Sequence, residues 1–295
     1  MDKDTAFHET RPHDSARRHR RPVAIAALLV VTAVTGAVLS GCGADGGEDA
    51  GAKTSATEEA QAGRRVLWMG DSIAGSEAPP LEASLKASGQ AFRDATSDGG
   101  GTVVEGDAMT GPIAEITWKN LAKTIESFRP DVIAYQITTY DWGSAGQQRA
   151  SYAKLAKTAQ DAGAELVIVS APPFRIDGFY AKHAGAIASA PKAAKAVADR
   201  GGGTADDTAD VTVDGAVERT VRFLDSSVLW GTDARSGKAQ RSADGIHSCQ
   251  QGSAAFAKWF TDRLGEAYGF TPAAPATWAT GSWTADERYG KLGCG

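Results

Sequence analysis

The sequence predicts an α/β sandwich built around a central parallel β-sheet. Short, continuously apolar segments recur along the chain, and segments with helical periodicity lie between them. Strands whose residues are apolar without alternation belong to the centre of a sheet that is covered on both faces. The length agrees, because the ~230 residues that follow an N-terminal leader are enough for one well-buried domain.

Residues 1–42 are predicted to be that leader. Arginines cluster at 17–21, an apolar run covers 23–38, and small residues precede Cys42. The pattern resembles a bacterial lipoprotein signal, in which Cys42 becomes the lipidated first residue of the mature chain. A single membrane-anchoring helix is the alternative. Both interpretations place the rest of the protein outside the cytoplasm, at the cell membrane, and leave the export route open.

Residues 43–63 are expected to form a flexible tether, because Gly, Ala, Ser, Thr and acidic residues dominate and cannot bury enough apolar surface to fold. Residues 64–295 then form the folded domain, which we expect to be a monomer. Six of the 31 basic and four of the 36 acidic side chains lie within residues 1–42, which leaves a net charge of −7. Nucleic acid is therefore not an expected partner.

Three segments are predicted as central strands, namely residues 65–69, 131–137 and 165–170. Helices are predicted where apolar residues recur at helical spacing, over 118–128 and 152–159, and over 256–264 as the last helix. Pro130 and Gly163 mark the ends of the first two.

Residues 171–220 are less regular. The Ala-rich stretch 180–198 is predicted to be helical, with Pro191 breaking or kinking it. Asp206, Asp207, Asp210 and Asp214 lack the spacing and terminal Glu of a calcium loop, which favours a solvated loop.

Gly70-Asp71-Ser72 follows the first strand, where parallel α/β sheets form their sites. A small residue before Ser72 allows a sharp turn, Asp71 is expected to brace it, and the Ser72 N–H can then face a developing oxyanion. Turns use the same residues, so this tripeptide alone is weak evidence for a nucleophile.

The number and positions of the histidines strengthen the prediction that Ser72 is a nucleophile. Only His183 and His247 lie beyond residue 42, and His183 is expected to be a surface or packing residue of the Ala-rich helix. Asp244, three residues before His247, can accept a hydrogen bond from Nδ1–H and leave Nε2 for Ser72. An Asp-Gly turn before a helix is the alternative. Neither a His-Glu-x-x-His nor a Cys-x-x-Cys motif is present in the sequence.

Gly70-Asp71-Ser72-Ile73 after an apolar strand, with Asp244-x-x-His247 before a helix, resembles the SGNH or GDSL hydrolase family. The resemblance implies a flavodoxin-like three-layer α/β/α fold, a serine nucleophile, no cofactor, and hydrolysis or transfer of acyl esters. In an α/β-hydrolase elbow a glycine would stand where this chain has Ala74.

The same resemblance implies an oxyanion hole that this chain matches only in part. The glycine after the second strand is one of Gly99, Gly100 and Gly101, of which we choose Gly100. Tyr140 occupies the position of the family's asparagine, so the Tyr140 hydroxyl, Gln136 or Thr139 would have to replace its donor. Loss of one donor costs about two to three orders of magnitude in turnover.

A similar pattern occurs in SGNH domains attached to bacterial membrane acyltransferases, which points to acylated glycans as substrates. Ser72 would attack a short acyl ester, His247 would move the proton, Asp244 would orient His247, and water or a sugar hydroxyl would accept the acyl group. A phospholipase, a thioesterase or a catalytically weak glycan-binding lipoprotein is the alternative.

Cysteine usage agrees with export. With Cys42 assigned to lipid, Cys249 and Cys294 form an even pair in an oxidising compartment, and we expect a disulfide between them. Two unpaired thiols are the alternative.

Overall fold

A computed structural model describes residues 63–201 and 221–294 of the chain. The predicted leader with Cys42, all of the tether except Gly63, and the acidic residues from Asp206 to Asp214 lie outside the described residues. Among the described helices, none is long and apolar enough to cross a membrane.

The centre of the domain is a five-stranded sheet in which every strand pair is parallel, with the order β2-β1-β3-β4-β5. The strands are β1 Arg65–Met69, β2 Ala91–Asp94, β3 Val132–Gln136, β4 Glu165–Val169 and β5 Val221–Leu224. The three predicted strands are β1, β3 and β4, the central ones. The structure ends β3 and β4 one residue earlier than predicted and begins β3 one residue later.

Helices connect the strands and continue after β5. They are α1 Ser72–Ala87, α2 Thr110–Phe128, α3 Ala145–Asp161, α4 Gly178–Ala181, α5 Ala184–Ala198, α6 Ser227–Trp230, α7 Gln250–Tyr268 and α8 Glu287–Lys291. The predicted ends before Pro130 and at Gly163 are confirmed. Arg129 closes α2 in the left-handed region at φ 49°, and Gly163 follows α3 at φ 69°.

The sheet separates two apolar cores, because neighbouring side chains of β1 point to opposite faces. Val66 and Trp68 pack with buried residues of α1 and α7, including Leu81, Phe256 and Phe260. Leu67 and Met69 pack on the other face with residues of α2, α3 and α5, including Leu121, Leu155 and Ala194. The predicted three-layer α/β/α architecture is confirmed.

The Ala-rich segment is helical, as predicted. Of the two effects predicted for Pro191, a break does not occur, since α5 runs through it and the interruption lies at Lys182 and His183, between α4 and α5. Burial of α5 residues on both sides of the proline, such as Ala190 and Ala194, offsets the lost hydrogen bond. The helix α7 is not the last, because α8 follows it.

Candidate active site

The turn between β1 and α1 presents Ser72 at the carboxyl edge of the sheet. Asp71 is the N-cap of α1, and its Oδ1 accepts the N–H of Ile73 at 3.0 Å. Its Oδ2 accepts the N–H and the hydroxyl of Thr139, both at 2.8 Å. Burial raises the pKa of Asp71, and these hydrogen bonds oppose the rise. Asp71 therefore braces the turn, as the sequence predicts.

The loop before α7 presents His247. Oδ1 of Asp244 accepts the N–H groups of Ile246 and His247 at 2.7 and 3.0 Å, and the Ser242 hydroxyl at 2.6 Å. Oδ2 lies 2.6 Å from Nδ1 of His247. Partial burial raises the pKa of Asp244, but these hydrogen bonds together outweigh that effect and lower the pKa to about 2. The carboxylate is thus ionised and fixed against the imidazole.

The two loops meet across the sheet edge. Nε2 of His247 lies 2.8 Å from Oγ of Ser72, which is 175 positions away in the chain. Packing of α1 beside α7 on the same face of the sheet creates this contact, and the hydroxyls of Ser84 and Thr261 bond at 2.9 Å between the two helices. The structure therefore brings Ser72, His247 and Asp244 together in the order that nucleophile, base and orienting acid require.

The glycine-rich loop after β2 lies against the turn that precedes Ser72. The N–H of Ser97 donates to the Gly70 carbonyl at 3.0 Å, and the Ser97 hydroxyl donates to the Gly100 carbonyl at 2.9 Å. Gly100 has φ 91°, and a Cβ there would lie 2.9 Å from Cε2 of Tyr140. The structure thus places Gly100 and Tyr140 in contact beside the nucleophile turn.

Two of the three groups considered as replacements for the missing asparagine are engaged elsewhere. Nε2 of Gln136 donates to Glu77 at 2.6 Å, and Thr139 donates both of its hydrogens to Asp71. The Tyr140 hydroxyl faces that of Tyr180, and burial, followed by the neighbouring Tyr180 and Asp71, raises the pKa of Tyr140. The oxyanion role of Ser72, Gly100 and Tyr140 stays a prediction.

Comparison with known families gives a direct match. A family model described as an SGNH domain (fused to AT3 domains) matches residues 41–260. The chain belongs to this SGNH family. No curated protein sequence matches the chain.

Several solved structures resemble the chain over part of its length, at low sequence identity. A putative acylhydrolase from Bacteroides fragilis is 14% identical with a TM-score of 0.47, and the match covers 69% of this chain and 88% of that one. The periplasmic domain of a lipopolysaccharide acetyltransferase from Salmonella Paratyphi A is 11% identical, with a TM-score of 0.43 and coverages of 70% and 83%. A catalytic mutant of an acetylxylan esterase from Geobacillus stearothermophilus is 12% identical, with a TM-score of 0.45 and coverages of 69% and 95%.

Two ionisable side chains, Glu77 and Arg241, lie beneath the histidine loop of this SGNH domain. Arg241 donates to the carbonyls of Ala239 and Ile246, at 2.8 and 3.2 Å, and its guanidinium lies 4.5 Å from the Trp230 ring. Glu77, one turn beyond Ser72 in α1, is fully buried. Glu77 Oε1 and Arg241 Nη2 are buried without a hydrogen-bond partner among the described residues.

The charges of Glu77 and Arg241 act on each other. Burial raises the pKa of Glu77 to about 8, against the opposing effects of Arg241 and of the Gln136 hydrogen bond. Burial likewise lowers the pKa of Arg241 to about 10, against Glu77 and Asp244. Sequence reasoning missed this pair. The only signal was the apolar setting of Glu77, between Ala74 and Leu81.

A cleft of about 240 Å³ opens beside Ser72 and His247. Its other wall is the C-terminal segment, through Arg288, Lys291 and Leu292. That segment is joined to α7 by the Cys249–Cys294 disulfide, which the sequence predicted. Nη1 of Arg288 donates to the Gly75 carbonyl at 2.6 Å, and the Tyr289 hydroxyl donates to the Ser76 carbonyl at 2.9 Å. The C-terminal segment is therefore part of the candidate site, which the sequence did not indicate.

The remaining candidates are metal-binding groups and the second histidine, His183. Within 63–201 and 221–294, no group of three or more His, Cys, Asp or Glu side chains could hold a metal ion. The His183 ring stacks on Trp142, with ring centroids 3.4 Å apart. His183 is thus a packing residue in the structure.

Proposed function

We propose that this protein is an exported serine esterase or acyltransferase that transfers short acyl groups through an acyl-enzyme. The observation that supports this mechanism is the 2.8 Å contact between Ser72 Oγ and His247 Nε2, with Asp244 at 2.6 Å from the other ring nitrogen. His247 takes the Ser72 proton as Oγ attacks the ester carbonyl, and Asp244 stabilises the imidazolium that forms.

The tetrahedral intermediate then collapses. His247 returns the proton to the leaving alkoxide as its bond to the acyl carbon breaks, which leaves the acyl group on Ser72. The N–H groups of Ser72 and Gly100 hold the oxyanion, since the Ser72 N–H lies in the first turn of α1 and has no acceptor within the helix. A second hydroxyl, from water or from a sugar, then loses its proton to His247 as its oxygen attacks the acyl carbon. His247 returns that proton to Ser72 Oγ as the bond between Oγ and the acyl carbon breaks, which restores the free enzyme.

Ester-linked acetyl groups of glycans are the proposed substrates. The small volume of the cleft beside Ser72 supports a short acyl group. A lipid anchor at Cys42 would hold the enzyme among surface polysaccharides, with residues 43–63 as the tether.

A serine-reactive fluorophosphonate and p-nitrophenyl acetate test the enzyme. We expect labelling at Ser72 and turnover that Ser72→Ala abolishes; unchanged turnover in Ser72→Ala would contradict the proposal. Mass spectrometry of acetylated glycans before and after treatment identifies the substrate. Metabolic labelling with a fatty acid tests the anchor. We expect a label on the wild type that Cys42→Ala removes; a label that persists in Cys42→Ala, or no label at all, would contradict the anchor.

A glycan-binding protein with weak catalysis is the second candidate. It is favoured by Tyr140 in place of the asparagine, together with the engagement of Gln136 and Thr139 with Glu77 and Asp71. Glycan binding without fluorophosphonate labelling would support it.

A further inference from the structure

Three aromatic side chains form a surface cluster beside the candidate site, which we call the aromatic platform: Tyr140, Phe179 and Tyr180. Their ring centroids lie 5.2 Å apart for Phe179 and Tyr180, 6.2 Å for Tyr140 and Phe179, and 6.4 Å for Tyr140 and Tyr180. Phe179 is 46% exposed, and both tyrosines are partly exposed. Aromatic side chains that stay accessible together on a surface often mark a binding site.

The platform has a rigid support. Trp142 is 1% exposed and lies beneath it, 5.2 Å from the Tyr140 ring and 5.6 Å from the Phe179 ring. His183 stacks on Trp142, and the mostly buried Phe174 contacts the edge of Tyr180 at 5.6 Å. Rings that are already held in place lose little conformational entropy when a ligand binds.

The platform adjoins the loops of the candidate site on two sides. Tyr140 follows Thr139, which bonds to Asp71 next to Ser72, and its ring covers Gly100. On the other side, the N–H of Arg175 donates to the carbonyl of Gly245 at 2.8 Å, inside the loop that holds Asp244 and His247. The platform therefore adjoins both of the loops that present Ser72 and His247.

We propose that the aromatic platform binds a pyranose ring of the substrate, so that an ester on that sugar or its neighbour reaches Ser72. This inference rests on the proposed function and assigns its specificity to Tyr140, Phe179 and Tyr180. The electron-rich face of an aromatic ring suits the C–H-bearing face of a sugar.

The polar groups at the rim distinguish a sugar from an acyl chain. The Tyr140 and Tyr180 hydroxyls, and the exposed ion pair between Arg175 and Asp177 at 2.7 Å, can bond to sugar hydroxyls. An alkyl chain would cover these groups without pairing them, and an unpaired buried polar group is costly.

The test compares Phe179→Ala, Phe179→Trp and Val228→Ala on three esters: methyl 6-O-acetylglucopyranoside, which keeps its other hydroxyls free, ethyl acetate and ethyl octanoate. Phe179→Ala should raise KM for the sugar ester, relative to KM for ethyl acetate, by about fivefold or more. Phe179→Trp should keep the wild-type ratio of KM for the sugar ester to KM for ethyl acetate, because tryptophan retains an aromatic ring at this position. Val228 is 66% exposed on α6, and Val228→Ala should leave KM for all three esters unchanged.

Two results for Phe179→Ala would overturn the inference: an equal rise in KM for all three esters, or a rise in KM for ethyl octanoate alone. The second would identify the platform as an acyl-chain site. Binding measurements on the Ser72→Ala protein, by tryptophan fluorescence with the sugar ester and with ethyl octanoate, keep the question separate from turnover. If Ser72-dependent turnover is absent, the proposed function fails, while preferential sugar binding lost in Phe179→Ala would still support the platform.

Discussion

Thr139 donates its backbone N–H and its hydroxyl to the same oxygen of Asp71, each at 2.8 Å. Because Thr139 follows β3 and Asp71 caps α1, this double contact ties the end of one central strand to the turn that presents Ser72. It also occupies both of the donors that Thr139 could otherwise direct at a substrate. The contact is therefore a support for the site.

Removal of the Thr139 hydroxyl tests this support. Thr139→Val keeps the N–H contact with the buried Asp71 but loses one hydrogen bond to a carboxyl group. We expect the free energy of unfolding to fall by about 2 kcal/mol, and kcat for p-nitrophenyl acetate to fall more than KM changes. Thr158→Val is the control, because its hydroxyl bonds an exposed helix carbonyl. Equal effects of the two substitutions would contradict the role given to Thr139.

Asp244 should act through the orientation and charge of His247. Asp244→Asn is expected to lower kcat by about 10⁴-fold, because the amide cannot hold the imidazole in the required tautomer. The low pKa of Asp244 means that its contribution to stability is present above pH 3.8 and is lost as the pH falls towards about 2. Kinetics of the variant check the role, and Asp233→Asn, in an exposed turn, is the control. A kcat within about tenfold of wild type would show that Asp244 is dispensable.

Neighbouring glycines allow a matched test of the oxyanion loop. Gly100→Ala would place a Cβ 2.9 Å from the Tyr140 ring at φ 91°, whereas a Cβ on Gly99 meets nothing within 4 Å. We expect Gly100→Ala to lower kcat by about 10²-fold or more and Gly99→Ala to have little effect. Fluorophosphonate labelling rates and thermal melts separate lost catalysis from lost folding. Similar kinetics in the two variants would remove Gly100 from the proposed site.

The central strands could be predicted because β1, β3 and β4 are buried on both faces and so appear as unbroken apolar runs. β2 and β5 lie at the two edges of the sheet and have partly exposed residues, so this signal is absent from them. At Pro191 local propensity favours a break that does not occur, because packing of the surrounding alanines maintains the helix.

The candidate triad could be predicted because the Asp244 to His247 spacing is local and few histidines are available. The proximity of Glu77 and Arg241 could not be predicted, since one lies in α1 and the other in a distant loop, and the apolar setting of Glu77 does not indicate its partner. The cleft wall at Arg288 and Leu292 depends on where the chain returns after α7. Contacts of that kind follow from packing and leave no local pattern.

The disulfide should stabilise the domain more than it contributes to catalysis. Cys249 and Cys294 close a loop with a separation of 45 residues, and such a bond contributes about 2–4 kcal/mol. In the Cys249→Ser, Cys294→Ser double variant we expect a loss of that size in chemical denaturation. Arg288 and Tyr289 still bind α1, so kcat should change less than KM.

A reductant provides the control for the disulfide. It should destabilise the wild type to the level of the double variant and leave the double variant unchanged. Complete loss of activity in a folded double variant would show that the covalent bond, and not the contacts of Arg288 and Tyr289, maintains the cleft.

Glu77 predicts an unusual dependence of stability on pH. Burial raises its pKa from 4.5 to about 8, so the native state holds this proton more tightly than the unfolded chain does. The contribution of Glu77 to stability is therefore fully present below pH 4.5 and is lost as the pH rises through about 8. Arg241 and Asp71 are the charged groups that act on it, with opposite signs.

Glu77→Gln removes this titration and retains the shape of the side chain. The variant should match the wild-type Tm near pH 5 and exceed it by about 10 °C near pH 9, because the wild type must bury a carboxylate there. Glu82→Gln is the matched control on α1, since Glu82 is exposed and pairs with Lys86. Thermal melts from pH 5 to 9 measure the difference. If the gap between Glu77→Gln and wild type stayed constant or reversed over that range, the Arg241 guanidinium would be stabilising Glu77 as a carboxylate, and the buried pair would be ionised at neutral pH.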